Sequence, residues 1–183
     1  MTAGYQACFE IVMKTEGGYV NDYTDRGGDT YMGIARKKFP AWSGWLVVDK
    51  ARNAQNFPQS LSVLMPVVKQ FYKENFWDKN RLSEFKDASL ALELFDTGIN
   101  MGVATAAKFL QRSLNLLNRN GFSYPDTTVD GIIGHTTIAL ANNHKNPRQL
   151  YNLLNTMQGA KYIRICEADP TQEKYMYGWL TRT

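Results

Sequence analysis

Tyr5, Cys8, Phe9, Val12 and Met13 recur at intervals of three and four, the spacing that lines one face of an α-helix. A first helix is therefore predicted over about 4–15, ended by Gly17 and Gly18, because glycine reaches the left-handed backbone that helix C-termini favour. Residues 17–30 are rich in turn formers and have room for a short β-hairpin. A second short helix is expected near 31–38, stopped by Pro40. Residues 40–59 read as an irregular connector, with at least one of Trp42 and Trp45 in the core. Helical spacing resumes with Leu64, Val67, Val68, Phe71 and Tyr72, behind an expected N-cap at Ser62 and with Pro66 in the first turn.

The second half is almost wholly periodic. Leu90, Ala91, Leu94, Phe95, Gly98 and Ile99 mark a helix over 87–100, and Val103 to Leu117 mark another over 103–118. A turn-rich loop leads through Asp130-Gly131 and Gly134 into a short helix ending near Asn142. Its glycines are read as fold punctuation. Asn146-Pro147 opens the longest helix, to about Glu167, with Leu150, Leu154, Met157, Tyr162 and Ile163 on its buried face. The tail 175–180 is apolar enough to dock on the body. No repeat or Pro/Ser-rich linker interrupts the chain, so one domain over 1–183 is expected, with lobes 1–86 and 87–183 flanking a cleft. The class is α+β and predominantly helical.

Composition narrows the function. With 44% hydrophobic and 21% charged residues, the chain can bury a core without metal or disulfide staples. A net charge of +4 favours anionic partners such as bacterial walls. The basic clusters are too short and scattered for a nucleic-acid footprint, so no nucleic-acid partner is expected. Two cysteines, Cys8 and Cys166, are not a disulfide framework and are expected to be free. Two histidines and no Cys-x-x-Cys leave no case for a zinc site, and no cofactor is expected. The first residues lack the basic start and apolar run of an export signal, and no segment is long and apolar enough for stable membrane insertion.

Chemistry concentrates at 15–34. Glu16 sits where the first helix gives way to paired glycines. The negative end of the helix dipole and any burial raise the pKa of a carboxyl there, as a general acid requires. Asp22, Asp25 and Asp29 follow among glycines, with Tyr19, Tyr23 and Tyr31 as flat faces for sugar rings and Thr30 as a hydroxyl for holding water. Two carboxyl groups facing each other suit glycoside hydrolysis. A polar hairpin or a Ca²⁺-type loop fits the same spacing. Farther on, Asp96 and Asn100 share a helix face beside Gly98 and Gly102, either to bind sugar N-acetyl groups or to cap and pair within the fold.

Glu16-Gly17-Gly18-Tyr19, Asp22, Asp25, Gly27-Gly28, Thr30 and Gly33-Ile34 resemble the signature of glycoside hydrolase family 108, with Tyr23 at a place where the family commonly has proline. The stretches 95–102, 106–111 and Val129 to Gly134 are similar to the family's second half, described as a predicted peptidoglycan-binding region. The resemblance implies a lysozyme-like fold and an N-acetylmuramidase, many of whose relatives are phage or prophage endolysins. Glu16 would be the acid, with Asp25 and Thr30 in the Glu–Asp–Thr order of phage lysozymes, one residue shorter. Tyr19, Asp22, Tyr31, Asp96 and Asn100 would contact substrate. Bacterial peptidoglycan is the expected partner of a monomer made in the cytoplasm, which reaches the periplasm or wall by a holin-dependent route or on lysis. A non-catalytic wall-binding module and a lytic transglycosylase are the alternatives.

Overall fold

The computed structural model describes residues 4–14, 18–20, 29–51 and 63–181. The chain forms two compact units that divide between Asn75 and Phe76. In the first, α1 (Tyr5–Met13) buries Cys8, Phe9 and Val12, as its stripe predicts. β1 (Tyr19–Val20), β2 (Thr30–Tyr31) and β3 (Ile34–Ala35) form an antiparallel sheet in that order, with Tyr19 opposite Tyr31 and Thr30 opposite Ala35. α2 (Gly44–Ala51) and α3 (Met65–Tyr72) complete the unit.

Two expectations are corrected here. The helix expected at 31–38 is the β2–β3 hairpin, turned by Met32 and Gly33 at φ 48° and 76°. Positive φ at both turn positions matches the right-handed strand twist. Tyr31 and Ile34 are three apart, so they read as a helical pair. In a two-residue hairpin the same interval makes them cross-strand neighbours. The connector 40–59 in turn contains α2. Trp42, Trp45 and Val48 are all buried, and the three-residue interval between them is helical. Gly44 obscured that pattern, and its reason is steric: a Cβ there would collide with the Trp42 ring. The cap expected at Ser62 lies outside the described residues.

An aromatic cluster holds this unit together. Trp42 meets Trp45 edge-on at 5.0 Å and lies parallel to Tyr31 at 6.2 Å. Phe71 joins Phe39 at 4.7 Å, and the Tyr72 hydroxyl donates to the Met32 carbonyl at 2.7 Å. The last bond ties the hairpin turn to α3.

The second unit is helical among its described residues. α4 (Ala88–Met101), α5 (Val103–Leu116) and α7 (Pro147–Ala168) pack against one another, with α6 (His135–Asn142) against α5 and α7. Asp87 caps α4 by accepting from the Leu90 amide at 2.8 Å, and Asn146 caps α7 ahead of Pro147. Gly102 breaks α4 from α5 at φ 94°, a conformation that side chains rarely adopt. Trp77, Leu94, Phe95, Leu110, Leu114 and Leu150 are fully buried. α8 (Met176–Leu180) docks on α7 through Trp179 stacked on Tyr162 at 4.7 Å, although Tyr177 stays exposed. Ile163, expected inside, is 49% exposed because it falls on the outer side of α7.

The Asp130-Gly131 bend is punctuation with a clamp. Gln111, 1% exposed, donates to Asp130 Oδ1 at 2.7 Å and to the Ile132 carbonyl at 3.0 Å, and accepts from the Gly131 amide at 2.9 Å. The Gln111 bond to Asp130, with one from the Ile132 amide, holds the Asp130 carboxyl below its ordinary pKa. The two cysteines are buried and free, and burial pushes both thiols up. The fold is a predominantly helical α+β structure of lysozyme-like kind, with its small sheet following α1.

Candidate active site

Glu16, Asp22 and Asp25 lie outside the described residues. Their frame is described. α1 closes with Lys14 donating to the Ile11 carbonyl, β1 begins a few residues later, and segment 21–28 joins β1 to β2. Thr30 is half-buried on β2, paired with Val20 on one side and Ala35 on the other. Tyr19 is half-buried, and its hydroxyl donates to Asp29 Oδ2 at 3.4 Å. Tyr31 is placed differently from the sugar platform expected of it. At 5% exposure its ring is part of the core, with one face given to Trp42. The alternation of β2 sends Thr30 and Tyr31 to opposite faces, so only one of them can face the core.

Asp96 and Asn100 belong to the helical unit. Asn100 is exposed on the last turns of α4 and its amide donates back to the Asp96 carbonyl at 2.9 Å. Asp96 is half-buried and accepts from Gln158 Nε2 at 3.4 Å, the internal pairing that was the alternative to sugar binding. Among the described residues, no group of three or more His, Cys, Asp or Glu is arranged to hold a metal ion.

A charge network beside the hairpin escaped the sequence reading. Arg36 Nε donates to both Asp29 oxygens, at 2.8 and 3.0 Å, and its amide donates to the Asp29 carbonyl at 2.9 Å. The far end of the guanidinium makes a fork with Asp49, at 2.7 and 3.1 Å, and the group lies 4.2 Å from the Trp45 ring centre. The bonds to Asp49 and Asp29 hold Arg36 still more firmly protonated than usual. In sequence, Arg36-Lys37-Lys38 looks like a solvated basic run. The hairpin turns Arg36 back over Asp29, which is buried, and leaves Lys37 and Lys38 nearer to solvent.

A second missed group is Glu93, 4% exposed on the inner face of α4. The signal was available, since Glu93 falls between Leu90 and Thr97 on the buried stripe. With its amide turned nitrogen-inward, Asn155 donates to both Glu93 oxygens at 2.8 Å. Thr97 Oγ1 lies 3.2 Å from Glu93 Oε1 and 3.3 Å from Gln158 Oε1. One hydroxyl has one proton to give. A protonated Glu93 donating to Thr97, which donates on to Gln158, satisfies both contacts. Burial, with Asp96 nearby, raises the Glu93 pKa to about 7.

Against this geometry, the profile of glycosyl hydrolase 108 matches residues 9–102, more than half of the chain. The chain belongs to glycosyl hydrolase family 108. Residues 105–183 match a second profile, described as a predicted peptidoglycan domain. The protein is similar to a solved structure described as Brucella abortus SagA, with a TM-score of 0.66 and 25% identity over 97% of this chain and 88% of that one. Comparison with curated proteins gives no match. A glycoside hydrolase region joined to a peptidoglycan region makes this family member a peptidoglycan hydrolase. The hydrolase match contains Glu16, Asp25, Thr30, the Arg36 network and all of α4, Glu93 included. The peptidoglycan match begins at Thr105, on α5.

Glu93 gives this hydrolase a pH-dependent stability. Below about pH 4.5, folded and unfolded chains both carry the proton, and the stability is at its full value. From about 4.5 to 7 the unfolded chain ionises while the fold holds its proton, so stability falls as pH rises. Above about 7 the loss is complete, at up to about 3 kcal/mol, taking 1.36 kcal/mol for each unit. Denaturant melts at pH 5 and pH 8 should show this slope in the parent. Glu93→Gln, which is neutral throughout, should be nearly flat.

Proposed function

We propose that this protein is a lysozyme-type N-acetylmuramidase that hydrolyses the β-1,4 bond from N-acetylmuramic acid to N-acetylglucosamine. The observation that carries the reading is the Glu16-Gly17-Gly18-Tyr19 motif inside the glycosyl hydrolase match, framed by α1 and the three-stranded sheet. Glu16 gives its proton to the glycosidic oxygen as the bond from the muramic C1 breaks. Asp25 stabilises the oxocarbenium-like transition state or, with Thr30, orients a water that attacks C1 and takes up its released proton. The electron pair of the broken bond leaves on the N-acetylglucosamine oxygen, which Glu16 has protonated. Tyr19, Asp22 and Asn100 are proposed as sugar contacts. The network through Arg36 would hold β2, which carries Thr30, against β3.

Mass analysis of digested sacculi tests this. Muropeptides ending in reducible N-acetylmuramic acid are expected. Termini of 1,6-anhydro type would mean a transglycosylase, in which the sugar's own hydroxyl is the nucleophile. Reducible N-acetylglucosamine termini would place the cut at the other linkage. Pelleting with the wall and no products would make the protein a binding module.

We further propose, on the resemblance to a family many of whose members are encoded by phages and prophages, an endolysin role: a monomer made in the cytoplasm that reaches the periplasm or wall through a holin pore. No helix among the described residues is long and apolar enough to cross a membrane.

A further inference from the structure

We infer that a cavity in the helical unit, at the end of α5 and the start of α7, binds the anionic peptide stem of peptidoglycan. The inference rests on the wall polymer being this protein's substrate, and it adds which part of that polymer the unit holds. The cavity measures about 550 Å³, within the range of small-ligand sites.

Its charge is one-sided. Arg119 and Lys145 line it, with His144 beside them, and no aspartate or glutamate does. Neither cation has an ion-pair partner among the described residues. Two unneutralised cations at a concave surface concentrate positive potential there, and a carboxylate is the group that meets it.

The backbone sets Arg119 in place. Arg119, Asn120 and Gly121 are all left-handed, at φ 60°, 56° and 79°, and such a run is uncommon for residues with side chains. Asn118, 3% exposed, holds the bend by accepting from the Gly121 amide at 3.0 Å through Oδ1, while its carbonyl accepts from the Ser123 amide at 3.0 Å. The Arg119 guanidinium is thereby held 5.6 Å from the ring centre of Phe122, which is 83% exposed. Tyr124, fixed by its hydroxyl on the Leu114 carbonyl at 2.9 Å, closes the wall against His144.

The remaining lining distinguishes a peptide from other wall anions. Leu116, Phe122 and Tyr124 offer apolar surface that alanine methyls can cover. Asn143, Asn146 and Gln149 offer amides that match peptide groups, on loop and helix backbone at the positive end of α7. A phosphodiester polymer would satisfy the cations and leave the apolar wall and the amides without partners. A stem of alanine, glutamate and diaminopimelate residues uses all three.

The test uses the full chain and a synthetic L-Ala-D-iGlu-diaminopimelate-D-Ala tetrapeptide that carries no sugar. Binding is expected to move the NMR signals of residues 119–124 and 144–149. Amidation of the peptide's carboxylates should weaken it at least about tenfold, and so should the double variant Arg119→Gln with Lys145→Gln, since charged hydrogen bonds are lost. Both residues are exposed, so the fold should survive the change. Hydrolysis of glycan strands stripped of their stems should be unchanged in that variant, while hydrolysis of intact sacculi should fall. A parent that cuts stripped strands and ignores the tetrapeptide would overturn this inference and leave the muramidase reading standing. Equal binding of the amidated peptide, signal changes confined to other residues, or a glycerol phosphate oligomer that displaces the peptide would also overturn it. A parent that binds the tetrapeptide and cuts no glycan would support this inference and remove the muramidase reading.

Discussion

Glu16→Gln should cost this hydrolase at least about a thousandfold in the rate of wall clearing, within the range that general acid catalysis contributes. Glutamine keeps the length and the hydrogen-bonding shape of the side chain and removes the transferable proton. Sedimentation with sacculi should be close to that of the parent, because the match to the peptidoglycan region starts beyond residue 104. The two measurements together separate loss of chemistry from loss of binding. Turbidity clearing that stays within tenfold of the parent would move the acid elsewhere in the chain.

Arg36→Leu should destabilise the first unit by about 3 kcal/mol, near the lower end of the cost of removing one partner from a buried ion pair. The Asp29 side chain is only 10% exposed and accepts two hydrogen bonds from the Arg36 guanidinium. The Asp49 arm contributes little to this figure. Its carboxylate is 51% exposed, and pairs of that kind are worth at most about 1 kcal/mol. Asp49→Asn should therefore be mild. Adding Asp29→Asn to Arg36→Leu should restore much of the loss, since the buried carboxylate that Arg36 faces is then neutral. Thermal unfolding of the four proteins checks the pattern: a double variant as unstable as Arg36→Leu alone would mean that lost packing on Trp45, and not the buried Asp29 charge, sets the cost. Activity should fall with Arg36→Leu, because the strands on either side of segment 21–28 are tied down through Asp29.

Much of the fold was legible because helices write their burial into sequence at a fixed interval. The stripe from Tyr5 to Met13, the run from Leu90 to Ile99 and the Asn146-Pro147 start of α7 all correspond to helices in the structure. Short elements were not legible. In the β2–β3 hairpin, a three-residue interval belongs equally to one helical turn and to a two-residue turn between strands. Gly44 suggested a break and instead makes room for an indole. At the site, residue types announced Glu16 and its aspartates. Which aromatic rings are surfaces and which are core depended on their neighbours, as Tyr31 against Trp42 shows.

The sequence by itself determined the helical periodicity, the acid motif after α1 and the family to which the chain belongs, because each is carried by residues near one another along the backbone. Only the tertiary structure decided that Arg36 closes on Asp29, that Glu93 is buried beside Thr97 and Asn155, and that Arg119 and Lys145 share a cavity. Charge, burial and hydrogen bonding act through space at a few ångströms. Residues from 7 to 62 positions apart in the chain come within that range only when it has folded.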